Sequence, residues 1–283
     1  MEPEDLDATR IADVPRHDRF RSIGVVASTL GTLGSSRTLE AIATAAAAEG
    51  YATTLIPVEV VGRLDREAVD GVVVLVGDHE VNGREIELPD GVPVVVVDSR
   101  PRAGHPVVDT DQVQGAALAT EHLLKLGHQT VWHIAGPMDS FAAKRREWSW
   151  RETLIRYDRD IPLAVVGDWS ADSGYRLGQV LCRDPAVTAV FAANDQMALG
   201  LLRALREAGR SVPREVSVAG FDDMAEAACF WPPLTTVRQS FDELGHRAVR
   251  TLLDRIVSGS SDEVRALVPT TLVVRGSTAP PPW

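Results

Sequence analysis

The stretch GDWSADSGYRLGQVLCRDPAVTAVFAANDQMALG, residues 167–200, alternates helical and strand-like patterns and carries polar side chains where they meet. Its amphipathic spacing predicts a helix over Ser173–Cys182, and its continuous apolar run predicts a buried strand over Ala189–Ala192. A second helix is predicted over Gln196–Ala208, with Gly209 directly after it. Buried apolar strands that alternate with helices are typical of parallel sheets covered on both faces, so the stretch predicts an α/β fold.

The same alternation extends along the rest of the chain. Further strands are predicted at Ser22–Ala27, Ala52–Ile56, Gly71–Val76, Pro93–Val97, Thr130–Ala135, Leu163–Val166, Val216–Ala219 and Thr271–Val274, and further helices at Arg37–Glu49, Asp111–Leu126, Phe141–Tyr157 and Asp242–Val257. These units are too numerous for one small sheet, and they lack the eightfold regularity of a barrel. We therefore predict an α/β fold with two doubly wound parallel-sheet lobes, preceded by a loose arm at residues 1–21.

Composition narrows the classes of function. The chain has 283 residues and a formal net charge of −11, which argues against direct binding to nucleic acid or to an anionic membrane. Its two cysteines fit a reducing compartment, and its acidic first residues do not resemble a secretory signal. No apolar run reaches the ~18 residues of a membrane span. These features predict a soluble, cytoplasmic protein with no membrane partner.

Polar side chains follow most of the predicted strands. They are Ser28, Asp98, Asp168, Trp169, Asn194, Asp195, Asp222 and Asp223. In open α/β sheets ligands bind outside the carboxyl ends of the strands, where such groups hold hydroxyls and an indole ring packs on a sugar ring. Helix capping and turn formation are the alternative roles. Capping or turn formation is favoured for Asp195 and Asp223, whereas for Asn194 and Asp222 both this role and ligand binding stay open.

The chain carries no recognisable motif for catalysis or metal binding. It contains no G-x-S-x-G, H-E-x-x-H or C-x-x-C sequence, and His122 and His128 are expected on different faces of a helix end. Residues 31–36, Gly-Thr-Leu-Gly-Ser-Ser, match neither phosphate-binding fingerprint, so a flexible turn is favoured over a phosphate site. We predict no catalytic residue, no metal and no cofactor.

Seven segments of the chain, taken in order, resemble the motifs of a known protein family. They are Glu121–His128 (EHLLKLGH), Ala135–Pro137 (AGP), Gly167–Ala171 (GDWSA), Ala193–Gly200 (ANDQMALG), Val212–Asp223 (VPREVSVAGFDD), Pro232–Gln239 (PPLTTVRQ) and Val274–Thr278 (VRGST). With these segments the chain resembles the effector-binding core of the LacI family of bacterial transcription regulators, over residues 22–278. A single motif carries little weight, whereas seven in the family's order are specific.

The resemblance implies two lobes joined by three crossovers, residues 22–108 plus 241–269 and residues 109–240 plus 270–283, with a ligand in the cleft. It implies effector-binding roles for Ser28, Asp98, Arg146, Trp169, Asn194, Asp222, Gln239 and Phe241. For Arg146 the helical pattern alone favours an exposed surface charge, so its place in the cleft rests on the resemblance. The chain departs from the family at residues 146–150, Arg-Glu-Trp-Ser-Trp, where Ser149 replaces a glycine, and at residues 275–277, where Arg-Gly-Ser replaces Arg-Glu-Ser.

The same resemblance implies a sugar-responsive transcriptional regulator whose core binds a small-molecule effector and forms a homodimer. The helix Arg37–Glu49 and the segment Cys229–Pro233 are the expected dimer surfaces, and an interface role for Trp231 is favoured over a ligand-binding one. Operator DNA would be bound only through a helix-turn-helix headpiece. Residues 1–21 are too short and too acidic to provide it, so the headpiece is expected to be either removed from this chain or naturally missing.

Other functions stay open on the sequence alone. A sugar-binding protein of transport or chemotaxis shares the two lobes but needs a secretory signal. An enzyme acting on sugars or nucleotides needs a pair of reactive groups in the cleft, for which Asp98 and Asp222 are the candidates. The effector itself is expected to be a sugar, with a purine as the alternative.

Overall fold

The computed structural model describes residues 21–27, 30–64, 68–75, 80–81, 84–99, 104–259 and 264–282. The elements are β1 (Ser22–Ala27), α1 (Leu33–Ala48), β2 (Ala52–Ile56), β3 (Gly71–Leu75), β4 (Glu80–Val81), β5 (Arg84–Glu85), β6 (Val94–Val97), β7 (Val107–Thr110), α2 (Gln112–Lys125), β8 (Trp132–Ala135), α3 (Phe141–Arg156), β9 (Val165–Val166), α4 (Ala171–Leu181), β10 (Ala189–Ala192), α5 (Asp195–Glu207), β11 (Ser217–Asp222), β12 (Thr235–Arg238), α6 (Phe241–Ser258), β13 (Arg265–Val268) and β14 (Thr271–Val273). Strand and helix thus alternate along most of the chain.

The strands form two main sheets. The first has the order β13-β7-β6-β3-β1-β2 with every pair parallel. The second has the order β14-β12-β11-β10-β8-β9, and only its β12–β14 pair is antiparallel. We call the first sheet with α1 and α6 the first lobe, and the second sheet with α2 to α5 the second lobe. The prediction of an α/β fold with two parallel-sheet lobes is confirmed.

The first lobe buries its sheet in two different ways. On one face, α1 and α6 pack on the strand valines through residues such as Ile42 and Leu252. On the other face the strands pack on Val61, Ile86 and Val92, which lie in the segments between β2 and β3 and between β5 and β6. Among the described residues, a short 3-10 helix at Val58–Arg63 and irregular segments, rather than α-helices, therefore cover this second face.

The second lobe has helices on both faces. Met197 and Leu201 of α5 belong to one core, whereas Leu123 of α2 and Trp150 of α3 belong to the other. The two helices α4 and α5 approach closely, because a Cβ added at Gly200 would overlap backbone atoms of α4. The small residues along this contact let α4 pack directly on α5. This packing keeps α5, and the polar residues at its start, against the sheet.

The chain passes between the lobes three times. The first crossing is at Asp111 between β7 and α2, the second at residues 239–240 between β12 and α6, and the third at residues 269–270 between β13 and β14. Strand β7 extends to residue 110, so residues 109 and 110 lie in the first sheet. At the first crossing the Asp111 amide donates to the Val268 carbonyl oxygen over 2.8 Å, which joins this crossing to the strand that leads into the third.

Several elements differ from the sequence-based expectation. Strands β7, β12 and β13 were not predicted, because polar residues interrupt the apolar run in each of them, and the two-residue strands β4 and β5 were not predicted either. The flexible turn predicted at residues 31–36 is wrong for most of its length. Helix α1 begins at Leu33, where the Thr32 side chain accepts a hydrogen bond from the Ser35 amide and caps the helix. Among the described residues, no helix has the length and hydropathy to cross a membrane.

Candidate functional site

The polar residues predicted at strand ends lie at the carboxyl edges of the two sheets. Asp98 follows β6 of the first lobe, whereas Trp169, Asn194 and Asp222 follow or end β9, β10 and β11 of the second. Asp98, Trp169 and Asp222 have positive φ angles of 47°, 72° and 110°. Such angles are uncommon for residues other than glycine. At each of these positions the backbone turns sharply away from the direction of the strand. Ser28, also predicted here, lies outside the described residues.

Arg146 of α3 is the buried cation of this site. Its side chain is 5% exposed, so the interpretation of Arg146 as an exposed helical charge is wrong. Its Nε donates to Gln112 Oε1 over 2.7 Å, and its Nη1 donates to the Ala193 carbonyl oxygen. The same Nη1 is 3.6 Å from Asp222 Oδ1. Nη2 makes no hydrogen bond to the part of the chain that the structure describes, and it is the donor that a ligand oxygen can meet.

Aromatic rings flank the Arg146 guanidinium. Its Cζ lies 3.7 Å from the centroid of Phe221 and 5.5 Å from that of Trp169. Burial lowers the pKa of Arg146, while the carboxylates of Asp222 and Asp98 oppose this shift. A guanidinium stays charged throughout the ordinary pH range, so the site keeps a desolvated cation between two rings and two carboxyl groups.

A ring of hydrogen bonds connects Arg146 to Asp222 through two amides. Gln112 Nε2 donates to Gln239 Oε1 over 3.2 Å, and Gln239 Nε2 donates to Asp222 Oδ1 over 2.6 Å. Gln112, Gln239 and Asp222 are 2%, 6% and 6% exposed. The predicted residue Gln239 is thus brought together with Arg146 and Asp222. Gln112 was missed by sequence reasoning, because the strand that precedes it, β7, was itself not predicted.

The two carboxyl groups of the site resist ionisation. Burial raises the pKa of Asp222 to about 6, against the opposing effects of Arg146 and the Gln239 amide. Burial also raises the pKa of Asp98, which the Thr110 amide, Arg146 and Gln112 partly offset. The Thr110 amide donates to Asp98 Oδ1 over 2.9 Å. A hydroxyl group that donates to either carboxylate favours its charged form, so a ligand rich in hydroxyls suits this pair.

Trp169 and Asn194 support each other across the second lobe. Asn194 caps α5, since its Oδ1 accepts from the Met197 amide over 2.9 Å, and its Nδ2 donates to the Trp169 carbonyl oxygen over 3.0 Å. The Trp169 ring is half-buried and packs on Gly136, where an added Cβ would overlap the ring. Of the two roles left open for Asn194, helix capping is therefore present. Its amide also fixes the backbone that presents the indole ring.

The capping role predicted for Asp195 is wrong, whereas Asp223 lies directly after β11 with a positive φ of 52°. Asp195 is fully buried inside the second lobe, where it accepts from Thr236 Oγ1 over 2.5 Å and from the Met224 amide over 2.8 Å. Its neighbour Asn194 takes the capping position. Asp223 is paired with two arginines, Arg238 and Arg275, each at 2.6 Å. Asp195 joins β12 to Met224, and Asp223 is paired with Arg238 of β12 and Arg275 after β14, so both carboxylates hold the segment after β11 in place.

Phe241 begins α6 directly after the second crossing and is 8% exposed. It lies two residues beyond Gln239, at the point where the chain returns to the first lobe. Its ring makes no stacking contact with the described aromatic residues. The structure therefore places Phe241 beside the crossing without pairing it with Trp169.

An ion pair joins the lobes next to this site. Asp109 of β7 is fully buried, and its Oδ2 is 3.2 Å from Nη1 of Arg145 on α3 and 3.9 Å from Nη2 of Arg265. Its Oδ1 accepts from the Ser99 amide over 3.3 Å. Burial and the nearby Asp98 raise the pKa of Asp109 to about 7, against the effect of Arg145. The first lobe thus supplies the carboxyl group of Asp109, and the second lobe supplies the guanidinium of Arg145, which is the nearer of its two basic partners.

These features define a candidate binding site of a two-lobed α/β core. The described residues contain no group of three His, Cys, Asp or Glu side chains that could hold a metal ion. Residues 120–278 match the family described as periplasmic binding protein-like domain. The chain thus belongs to the class of periplasmic binding protein-like proteins.

Comparison with known proteins narrows the class. The lactose operon repressor of Klebsiella pneumoniae is 35% identical over 286 residues, covering 94% of this chain and 80% of the repressor. The HTH-type transcriptional regulator CelR of Thermobifida fusca is 40% identical over 60% of this chain and 51% of its own length. The chain belongs to the LacI family of transcriptional regulators, as the sequence resemblance implied.

Solved structures agree with this assignment. The structure of a lac repressor dimer bound to operator and the anti-inducer ONPF has a TM-score of 0.83 and 30% identity, covering 99% of this chain and all of that one. A complex of the transcriptional regulator CelR with cellobiose has a TM-score of 0.81 and 32% identity, covering 92% of this chain and 85% of that one. Both similarities extend over both lobes.

Proposed function

We propose that this chain is the effector-binding and dimerising core of a sugar-responsive transcription regulator. The observation that carries the proposal is the buried Arg146 guanidinium, which is held by Gln112 and Asp222 and leaves Nη2 without a hydrogen-bond partner among the described residues. A preorganised fork donor beside carboxylates and an indole ring matches the alternating hydroxyl and apolar faces of a sugar. The related CelR structure contains cellobiose, and another LacI family structure contains ribose.

The proposed mechanism follows from the positions of these groups on different lobes. Asp98 belongs to the first lobe, whereas Arg146, Trp169 and Asp222 belong to the second. A sugar that contacts both sets binds more tightly when the lobes are close together. Its binding therefore shifts the population toward the closed arrangement by its difference in affinity for the two states. In a complete regulator this shift would reposition a DNA-binding headpiece, and DNA would reciprocally change the affinity for the sugar.

The proposed assembly is a homodimer that acts in the cytoplasm and has no enzymatic activity. Related lac repressor structures are dimers, one of them on operator DNA. Trp231 is 84% exposed and Leu199 is 41% exposed, both on the second lobe. Large exposed apolar side chains of this kind are candidates for a subunit interface. Operator DNA would be bound by a headpiece outside residues 22–278, since the negative net charge of this chain disfavours DNA binding by the core.

Calorimetric titration with lactose, cellobiose and D-ribose tests the proposal. We expect at least one of them to bind, and we expect Arg146→Lys to weaken that binding roughly 100-fold because two charge-assisted hydrogen bonds are lost. Arg151→Lys is the matched control, since Arg151 lies on the same helix and is exposed. Equal affinities of the two variants would refute the assigned site, and no binding of any of the three sugars would refute the proposed effector class.

A further inference from the structure

The Gln112 amide has a hydrogen-bond environment that goes beyond supporting Arg146. It is 2% exposed, accepts from Arg146 Nε and donates to Gln239 Oε1. It also lies close enough to the Asp98 carboxylate to lower the pKa of that group. The same side chain therefore meets one candidate effector-binding residue from the first lobe and two from the second.

The chemistry of its neighbours fixes the orientation of this amide. Arg146 can only donate, so the Gln112 oxygen must face it and the Gln112 nitrogen must face Gln239. The ionised Asp222 can only accept, so the Gln239 nitrogen faces Asp222 and its oxygen faces Gln112. Each hydrogen bond in this series points from the cation toward the anion. A change in the position of Arg146 or Asp222 therefore affects the hydrogen bonds of both amides.

The two amides also connect two of the passages between the lobes. Gln112 is the first residue of α2 at the first crossing, and Gln239 lies in the second crossing. Among the described residues, no other hydrogen bond joins these two crossings. The third crossing is connected differently, since Gln114 Oε1 accepts from the Thr270 amide over 2.8 Å. Gln114 has no bond to Arg146 or Asp222 within the described residues.

We infer that Gln112 is a positioning residue that couples effector binding at Arg146 to the movement of the first and second crossings. A ligand that pulls on Nη2 of Arg146 shifts Nε as well, and Gln112 passes this displacement to Gln239. The two crossings then move together as the lobes close. The inference rests on the proposed function in one respect, namely that the effector binds at Arg146.

Hydrogen exchange of the chain without any sugar tests the connection itself. Gln112→Met keeps the volume of the side chain but removes its hydrogen bonds, so we expect exchange around residues 110–115 and 239–244 to be about fivefold faster. Gln114→Met is the matched control, and it should speed exchange near residue 270 while leaving 239–244 unchanged. Gln112→Glu, measured at pH 8, keeps the acceptor for Arg146 but loses the donor for Gln239. It should therefore resemble Gln112→Met at 239–244.

A second measurement uses whichever of lactose, cellobiose and D-ribose binds the parent chain. We expect Gln112→Met to weaken its affinity about tenfold and Gln114→Met to change it less than about twofold. Melting temperatures of the two variants serve as a check on folding. Identical exchange patterns in the two variants, or unchanged sugar affinity in Gln112→Met, would overturn the inference. If none of the sugars binds but the exchange patterns differ as expected, the connection stands and the proposed effector class fails instead.

Discussion

The ion pair between Asp109 and Arg145 predicts an unusual dependence of stability on pH. Burial raises the pKa of Asp109 from the ordinary 3.8 to about 7. The folded chain therefore binds a proton on Asp109 between about pH 4 and pH 7, where the unfolded chain has already lost it. Stability is greatest below this window and falls as the pH rises through it. The perturbation that tests this is Asp109→Asn, which removes the titrating group and keeps the side-chain shape.

The size of the effect follows from the two pKa values. At ~1.4 kcal/mol per pH unit, the gap between 3.8 and about 7 corresponds to about 4 kcal/mol of unfolding free energy. This is a large fraction of the stability of an ordinary domain. Arg145 favours the charged carboxylate, so Arg145→Gln should raise the pKa further and extend the loss of stability to higher pH. The two substitutions are thus expected to change the pH profile in opposite directions.

Urea unfolding followed by tryptophan fluorescence, repeated at intervals from pH 4 to pH 8.5, measures this dependence. We expect the parent chain to lose more stability across the range than Asp109→Asn. Asp98, Asp195 and Asp222 also have raised pKa values and contribute a slope common to both proteins. Only the difference between the two profiles therefore reports on Asp109. Parallel profiles would refute the argument that this carboxyl group is protonated in the folded chain near neutral pH.

Substitutions of glycine provide further tests. Gly200→Ala should lower the free energy of unfolding by about 3 kcal/mol or more in urea, because the added Cβ would overlap the Ala171 carbonyl oxygen of α4. Gly34→Ala in α1 meets no atom within 4 Å and should instead raise stability by about 0.5 kcal/mol, so destabilisation by both would show that the close approach is not the cause. Gly136→Ala should displace the Trp169 ring, change the tryptophan fluorescence and weaken sugar binding, whereas unchanged affinity would place the ring outside the binding site.

Sequence alone predicted most strands that contain a continuous run of buried apolar residues. The bounds of β1 and β10 were predicted to the residue, because both contain a buried apolar run. Strand β13 could not be found in this way. Residues of β13 alternate between exposed and buried, and the strand exists because it pairs with β7. Pairing with a distant strand leaves little trace in the local sequence.

The candidate site was predictable in outline but not in its connections. Family resemblance pointed to Arg146, and strand-end position together with the resemblance pointed to Asp222; the structure places the two residues 3.6 Å apart. Neither could point to Gln112, since its partners lie 34 and 127 residues away in sequence. The choice of cap between Asn194 and Asp195 was equally beyond local pattern. It depends on Thr236, a hydroxyl of β12 that draws the Asp195 carboxylate into the core.

The backbone at the strand ends limits how this binding specificity can change. Asp98 and Asp222 occupy φ angles that aspartate, asparagine and glycine tolerate better than most residues. A library randomised at these two positions would therefore return mostly misfolded or weakened proteins, whatever sugar was used for selection. Gln239 and Phe241 have no such restriction. Efforts to direct a sensor of this kind to a new sugar should begin at those two side chains and keep the aspartates as fixed anchors.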